Sequence, residues 1–194
     1  CRAVFDTYNT LEKEMTAYHE SGHLVVLYLR HPTKDVFKAS IISHKGALGV
    51  VQPQPKEELH TQSKESLLTD IEVSLAGYVA EKMKYNTTSS GVTQDFKTAM
   101  AIAHAMVWGL GMSDAGIVGD YSVIPWSEIS DSFKNKLNTE TQNIMQRCLK
   151  ETEIVLKKEW LIVERFVKEL LDKEELEYDE IVAIFKEYGK AHAA

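Results

Sequence analysis

Cysteine is nearly absent from the chain: Cys1 and Cys148 are the only two among 194 residues. They build no disulfide framework and no metal-type cysteine pair, which favours a reducing compartment. Proline and glycine are also sparse, at four and ten residues, leaving little linker or low-complexity sequence. No apolar run approaches the roughly 20 residues needed to cross a bilayer. The longest, Leu24 to Leu29, is six residues long and reads as part of a helix. Positive charge is in deficit, with 22 Lys+Arg against 29 Asp+Glu and a net charge of −7. That argues against nucleic acid as a partner, because non-specific binding relies on phosphate neutralisation. No Gly-x-x-x-x-Gly-Lys-[Ser/Thr] segment occurs either, so these residues offer ATP no P-loop.

What is present is ordinary for a folded unit. A hydrophobic fraction of 44% and a charged fraction of 26% exclude a disordered or collagen-like chain, and the length allows one or two small domains. The chain starts at Cys1 and not at methionine, so it is expected to be a processed product or an excised piece whose upstream signal or anchor lies out of view.

Leu11, Met15, Tyr18, Leu24 and Leu27 form a helical stripe that should end near Arg30, because Pro32 cannot continue it. Val36 to Ile42 is β-branched and aromatic and predicts a strand, with Phe37, Ala39 and Ile41 on one face and Val36, Lys38 and Ser40 on the other. Ser43 to Gly46 supplies turn chemistry, and Ala47 to Gln52 returns as a second strand. Pro53 and Pro55 then remove ladder donors, which places that strand at a sheet edge. Ser63 is a suitable N-cap for a helix through Leu67, Leu68, Ile71, Leu75, Val79 and Met83. After the polar loop Asn86 to Gly91, a helix from about Thr93 should bury Phe96, Ala99, Met100, Ala103 and Val107. Residues 112–131 look irregular. Asn138 or Thr139 can cap a long helix to about Leu171, with a break near Lys158, and Asp179 to Tyr188 closes the chain as a last helix. The expected fold is mainly α with a small β-hairpin or sheet. It forms one domain over 1–194, with a site-bearing half at about 1–115 and a helical C-terminal half at about 130–194.

The segment His19-Glu20-Ser21-Gly22-His23 carries chemistry. Residues four apart on a helix lie one turn apart on the same face, so two imidazoles can converge on one metal ion. Neutral imidazole suits Zn²⁺. Glu20 sits about 100° round the helix, from where its carboxylate can serve a water as general base without ligating. Such a zincin-like helix suits peptide hydrolysis. Gly22 inside a helix costs about 1 kcal/mol against alanine, which a close backbone approach would explain. Catalytic zinc needs a third protein donor. Leu24 to Leu29 contain no histidine, which rules out the short metzincin spacing. Two carboxylates then compete: Glu81 on the Leu75 to Met83 helix, and Asp95 at the start of the next. Spacing alone leaves both open.

The chain holds, in order, His19-Glu20-Ser21-Gly22-His23, Gly46-Ala47-Leu48-Gly49-Val50, Leu75-Ala76-Gly77 with Ala80-Glu81, Gly91-Val92-Thr93-Gln94-Asp95, and Met106-Val107 with Gly111-Met112-Ser113-Asp114. This series resembles the peptidase domain of the FtsH family of membrane-anchored, ATP-dependent zinc metalloproteases, from about Thr10 to Phe185. The resemblance implies one Zn²⁺ held by His19, His23 and Asp95, with Glu20 as general base and Glu81 as a supporting carboxylate. It implies protein or peptide substrates and ATP bound only by a module outside this chain. It also implies a homo-hexameric parent, anchored upstream in a bacterial inner membrane or a mitochondrial or chloroplast membrane, with this domain on the cytoplasmic or equivalent side. Leu48, Gly49 and Val50 are expected to touch substrate by strand addition, which recognises backbone and tolerates many side chains. An edge strand merely blunted by its prolines is the plainer reading.

Three departures concern subunit contacts or substrate fit and not the chemistry. Tyr78 replaces the family's usual arginine, Gln94 its asparagine, and Lys45-Gly46 stands where arginine commonly precedes Ala-Leu-Gly. Two other readings remain: a proteolytically silent scaffold of the same fold, and a helical adaptor with an accidental motif. His104 reads as structural, and His31, His44, His60 and His192 have no partner at ligand spacing. Asp172 to Glu180 reads as a solvated charged face.

Overall fold

A computed structural model describes residues 2–42 and 49–192. Helix α1 spans Arg2–Arg30, followed by β1 (Lys34–Ser40), β2 (Val50–Pro55), α2 (Lys64–Tyr85) and α3 (Thr93–Trp108). The remainder is α4 (Asp131–Lys158), α5 (Trp160–Lys173), β3 (Glu175–Glu177) and α6 (Tyr178–Glu187). The strands form one antiparallel sheet in the order β2-β1-β3. The fold is mainly α with a small sheet, as the residue pattern indicates.

Helices α1 and α2 form the frame. A Cβ on Gly22 would lie 2.6 Å from the Ala76 carbonyl oxygen and 2.9 Å from the Ala80 Cβ. The glycine therefore lets two helices meet nearly backbone to backbone. Ser63 caps α2 by accepting the Ser66 N–H. One apolar cluster joins α1, β1, α5 and α6 through Leu24, Leu27, Val36, Phe166 and Phe185. A second joins α2, α3 and α4 through Ile71, Ala103, Met106, Leu137 and Ile144. Cys148 lies in the second, where burial pushes its thiol up to about 12 and keeps it protonated.

Several local expectations change. A bulge interrupts the β1–β2 register between Val36 and Lys38. Phe37 becomes the extra residue and turns outward at 46% exposure, while Val36 and Ala39 are both fully buried. Strict alternation fails there because a bulge resets the face. Strand β2 begins at Val50 and runs through Pro53 and Pro55. Lys56 donates its N–H to the Thr33 carbonyl at 2.9 Å, so alternation turns Gln54 and Gln52 towards β1 and the two prolines outward. Helix α4 starts seven to eight residues before Asn138 and Thr139, capped by Ser130. The break near Lys158 falls at Glu159, between α4 and α5. Phe96 and Met100 are more than a third exposed, whereas Ala99, Ala103 and Val107 are buried. The stretch read as a solvated face contains β3, whose Leu176 is fully buried opposite Ala39. The turn from Ser43 to Gly46, and His44, Ala47 and Leu48 with it, lie outside the described residues.

His31 gains partners that its loop position does not announce. It is fully buried, and its Nδ1 accepts the N–H groups of Thr33 and Lys34 at 3.2 and 3.0 Å. Its Nε2 therefore carries the proton and donates to Asp70 Oδ1 at 3.0 Å. Asp70→Ala would leave that buried donor unpaired and is expected to cost about 1–3 kcal/mol, read by denaturant unfolding at pH 7. Burial opposes the Asp70 charge, yet hydrogen bonds from His31 and Lys34 overrule it and hold the carboxyl below its ordinary range. A depressed acid stabilises the fold above its unfolded pKa of about 3.9 and loses that contribution on acidification. Stability should thus fall as the pH drops below about 4, and less steeply in Asp70→Asn.

Candidate metal centre

His19 and His23 stand one turn apart on α1, with ring centroids 4.6 Å apart. The hydrogen bonds decide their tautomers. His23 Nδ1 lies 2.6 Å from the Val73 carbonyl oxygen, which can only accept. His19 Nδ1 lies 2.7 Å from Glu81 Oε1. Both Nδ1 atoms therefore donate, and both Nε2 atoms are left to face the same point. The Nε2 atoms are 3.0 Å apart.

The third side chain arrives from a distant element. A short turn at Ser90–Val92 runs directly into α3, whose first turn carries Asp95. Asp95 Oδ2 lies 3.0 Å from His19 Nε2 and 3.4 Å from His23 Nε2. Among the described residues, these three form the one group of metal-type donors within 4.8 Å of one another. Donors bonded to one tetrahedral ion at about 2.0–2.1 Å lie roughly 3.3 Å apart. The observed triangle fits an ion of that size, with two nitrogens and one oxygen as donors.

Glu81 is placed otherwise. It is 1% exposed and sits on the Nδ1 side of His19, with Oε2 accepting the Ser89 N–H at 2.5 Å. A carboxylate so engaged orients the ring from behind. Gly77, one turn earlier on α2, permits this packing: a Cβ there would lie 2.6 Å from His19 Nδ1 and Nε2. Glu20 is 6% exposed and borders the same cleft. Gly49 presses on it, since a Cβ on that glycine would lie 2.6 Å from Glu20 Oε1.

The electrostatics follow from burial and mutual charge. Desolvation by itself would lower the His19 pKa. Hydrogen bonds to Asp95 and Glu81, together with the charge of Glu20, instead hold the imidazole up at about 10, so an ion bound by Nε2 must displace the proton shared with Asp95. Burial likewise works against the Asp95 charge, but hydrogen bonds from the two histidines leave its carboxyl far below the usual range. Burial raises the Glu20 carboxyl, and the nearby histidines only partly offset it. A buried carboxyl of raised basicity suits proton transfer.

The cleft encloses about 1120 Å³ and is bordered by α1, by Gly49, Val50 and Val51, and by Val73 and Ser74 of α2. Gly49 and Val50 therefore reach the cleft, while Leu48 lies outside the described residues. Sequence reasoning missed Gly77, Ser89 and the His31–Asp70 pair as structural supports. The spacing in Ser89-Ser90-Gly91 hints at a capping serine, but its partner comes from another helix.

A helix-borne histidine pair, a distant aspartate and a buried glutamate thus meet in one cleft. The model of Peptidase family M41 matches residues 6–184, and the chain belongs to that family. An ATP-dependent zinc metalloprotease FtsH from Aster yellows witches'-broom phytoplasma (strain AYWB) is 35% identical over 182 residues, covering 92% of this chain and 27% of its own. A protein of the same name from Pelodictyon phaeoclathratiforme is 31% identical over 186 residues, covering 89% and 28%. An ATP-dependent zinc metalloprotease FtsH 3 from Phytoplasma mali is 34% identical over 175 residues, covering 90% and 28%. The chain thus spans little more than a quarter of the length of these relatives. Among the described residues no helix is long and apolar enough to cross a membrane.

Proposed function

We propose that this chain is the proteolytic part of an ATP-dependent zinc endopeptidase, with His19, His23 and Asp95 as metal ligands and Glu20 as general base. The observation that carries this reading is the donor triangle of 3.0, 3.0 and 3.4 Å beside a buried carboxylate. Zinc held by these residues would supply Lewis acidity, lowering the pKa of water and polarising a carbonyl. Glu20 takes the proton of the attacking water and returns it to the leaving amine.

The outer edge of β2 orients the substrate. Gln52 and Gln54 turn towards β1, so the backbone groups of Val51, and of Gly49 before it, face away from the sheet. An extended peptide added there would find donor and acceptor only on the Gly49 side, because Pro53 offers no N–H. Such recognition reads backbone and suits a protease of broad specificity. In the longer parent, the proposal includes an ATPase module that supplies unfolded or membrane protein substrates, a homo-hexamer and an upstream membrane anchor.

A short unstructured peptide tests the chemistry, since it needs no unfolding. Cleavage should stop on incubation with a strong zinc chelator and return on adding one equivalent of zinc. Cleavage that persists through chelation would refute the metal assignment.

A further inference from the structure

We propose that Ser89 is a positioning residue of the metal centre: through Glu81 it ties the His19 imidazole to the segment that delivers Asp95. This rests on the zinc reading above. Glu81 holds two partners at once. Its Oε1 accepts the His19 Nδ1–H at 2.7 Å and the Ser89 hydroxyl at 3.2 Å, while Oε2 accepts the Ser89 backbone N–H at 2.5 Å. Ser89 Oγ in turn accepts the Gly91 N–H at 3.2 Å and opens the Ser90–Val92 turn. Thr93 closes that turn by donating its hydroxyl to the Ser90 carbonyl at 2.7 Å. Asp95 follows two residues later in the first turn of α3.

One nearly inaccessible carboxylate thus holds the ring of the first donor and the root of the segment carrying the third. Helix α1 and the 89–95 segment are far apart in sequence, and nothing local sets their spacing. The Glu81–Ser89 brace sets it before any metal arrives. A donor triangle built in advance binds its ion more tightly, because less ordering remains to be done on binding. The serine backbone N–H survives any substitution by another non-proline residue. The hydroxyl, which both donates to Glu81 and accepts from Gly91, is the removable part.

The test is zinc affinity of the 194-residue chain, read by competition with a chromophoric chelator at constant pH. Ser89→Ala should bind zinc about tenfold more weakly, the lower end of what loss of a supporting partner costs. Ser89→Thr, which keeps the hydroxyl, should bind as the unaltered chain does. In a Glu81→Ala background, Ser89→Ala should add no further loss, since its route to His19 is already cut. Without metal, Ser89→Thr should melt as the unaltered chain does and Ser89→Ala only slightly lower, by the loss of one capping hydroxyl. Unchanged affinity in Ser89→Ala, or a full further loss on top of Glu81→Ala, would overturn the proposal and leave the zinc reading standing. Equal losses in Ser89→Ala and Ser89→Thr with a lowered metal-free melting temperature would mark a merely structural role and overturn it too. If the unaltered chain takes up no zinc, the metal reading itself fails and the brace falls with it.

Discussion

Glu20→Gln is expected to keep its full complement of zinc and to cleave peptide roughly 10²–10⁴-fold more slowly. Glutamine has nearly the shape of glutamate, so it fits under Gly49, where no Cβ is tolerated. Its amide cannot take a proton from water, and that is the single function removed. The metal stays because Glu20 is not among the three converging donors. Zinc content by elemental analysis and turnover of an unstructured peptide separate the two properties. Undiminished turnover would remove Glu20 from the mechanism. Loss of zinc together with activity would instead make it part of the metal's support.

The second large effect is expected at the third donor. Asp95→Ala should lose zinc by more than the roughly 10–100-fold that removal of a supporting partner costs, whereas Glu81→Gln should stay within that range. The reason is position. Asp95 Oδ2 lies on the Nε2 side of both rings, at 3.0 and 3.4 Å, while Glu81 holds His19 from its Nδ1 side. Ligand histidines must be neutral, so zinc should also be released as the pH falls. Stoichiometric zinc in Asp95→Ala, with none in Glu81→Gln, would reverse the roles.

The legible parts of the site are those set by a local period. The four-residue spacing of His19 and His23, the stop of α1 before Pro32, the Ser63 cap and the reason for Gly22 all follow from helix geometry and steric size. The edge position of β2 follows from two prolines without donors. The unread parts depend on distant partners. Phe37 faces outward because β1 bulges against β2, and Leu176 is buried because β3 finds Ala39 across the chain. His31 looks like a loop histidine until α2 brings Asp70 to its Nε2. Phe96 and Met100 fit a helical stripe whose middle is covered by α2 and α4 and whose margin is not.

The sequence by itself determined that two imidazoles share one helix face with a carboxylate beside them, because 3.6 residues per turn leaves no other arrangement. Spacing alone did not choose between Glu81 and Asp95, and only likeness to a family favoured the aspartate. The tertiary structure separated their positions: α2 approaches His19 from behind, over Gly77, and α3 brings its first turn to the front. Which side of a ring a carboxylate meets depends on how two helices dock, and no local period encodes that.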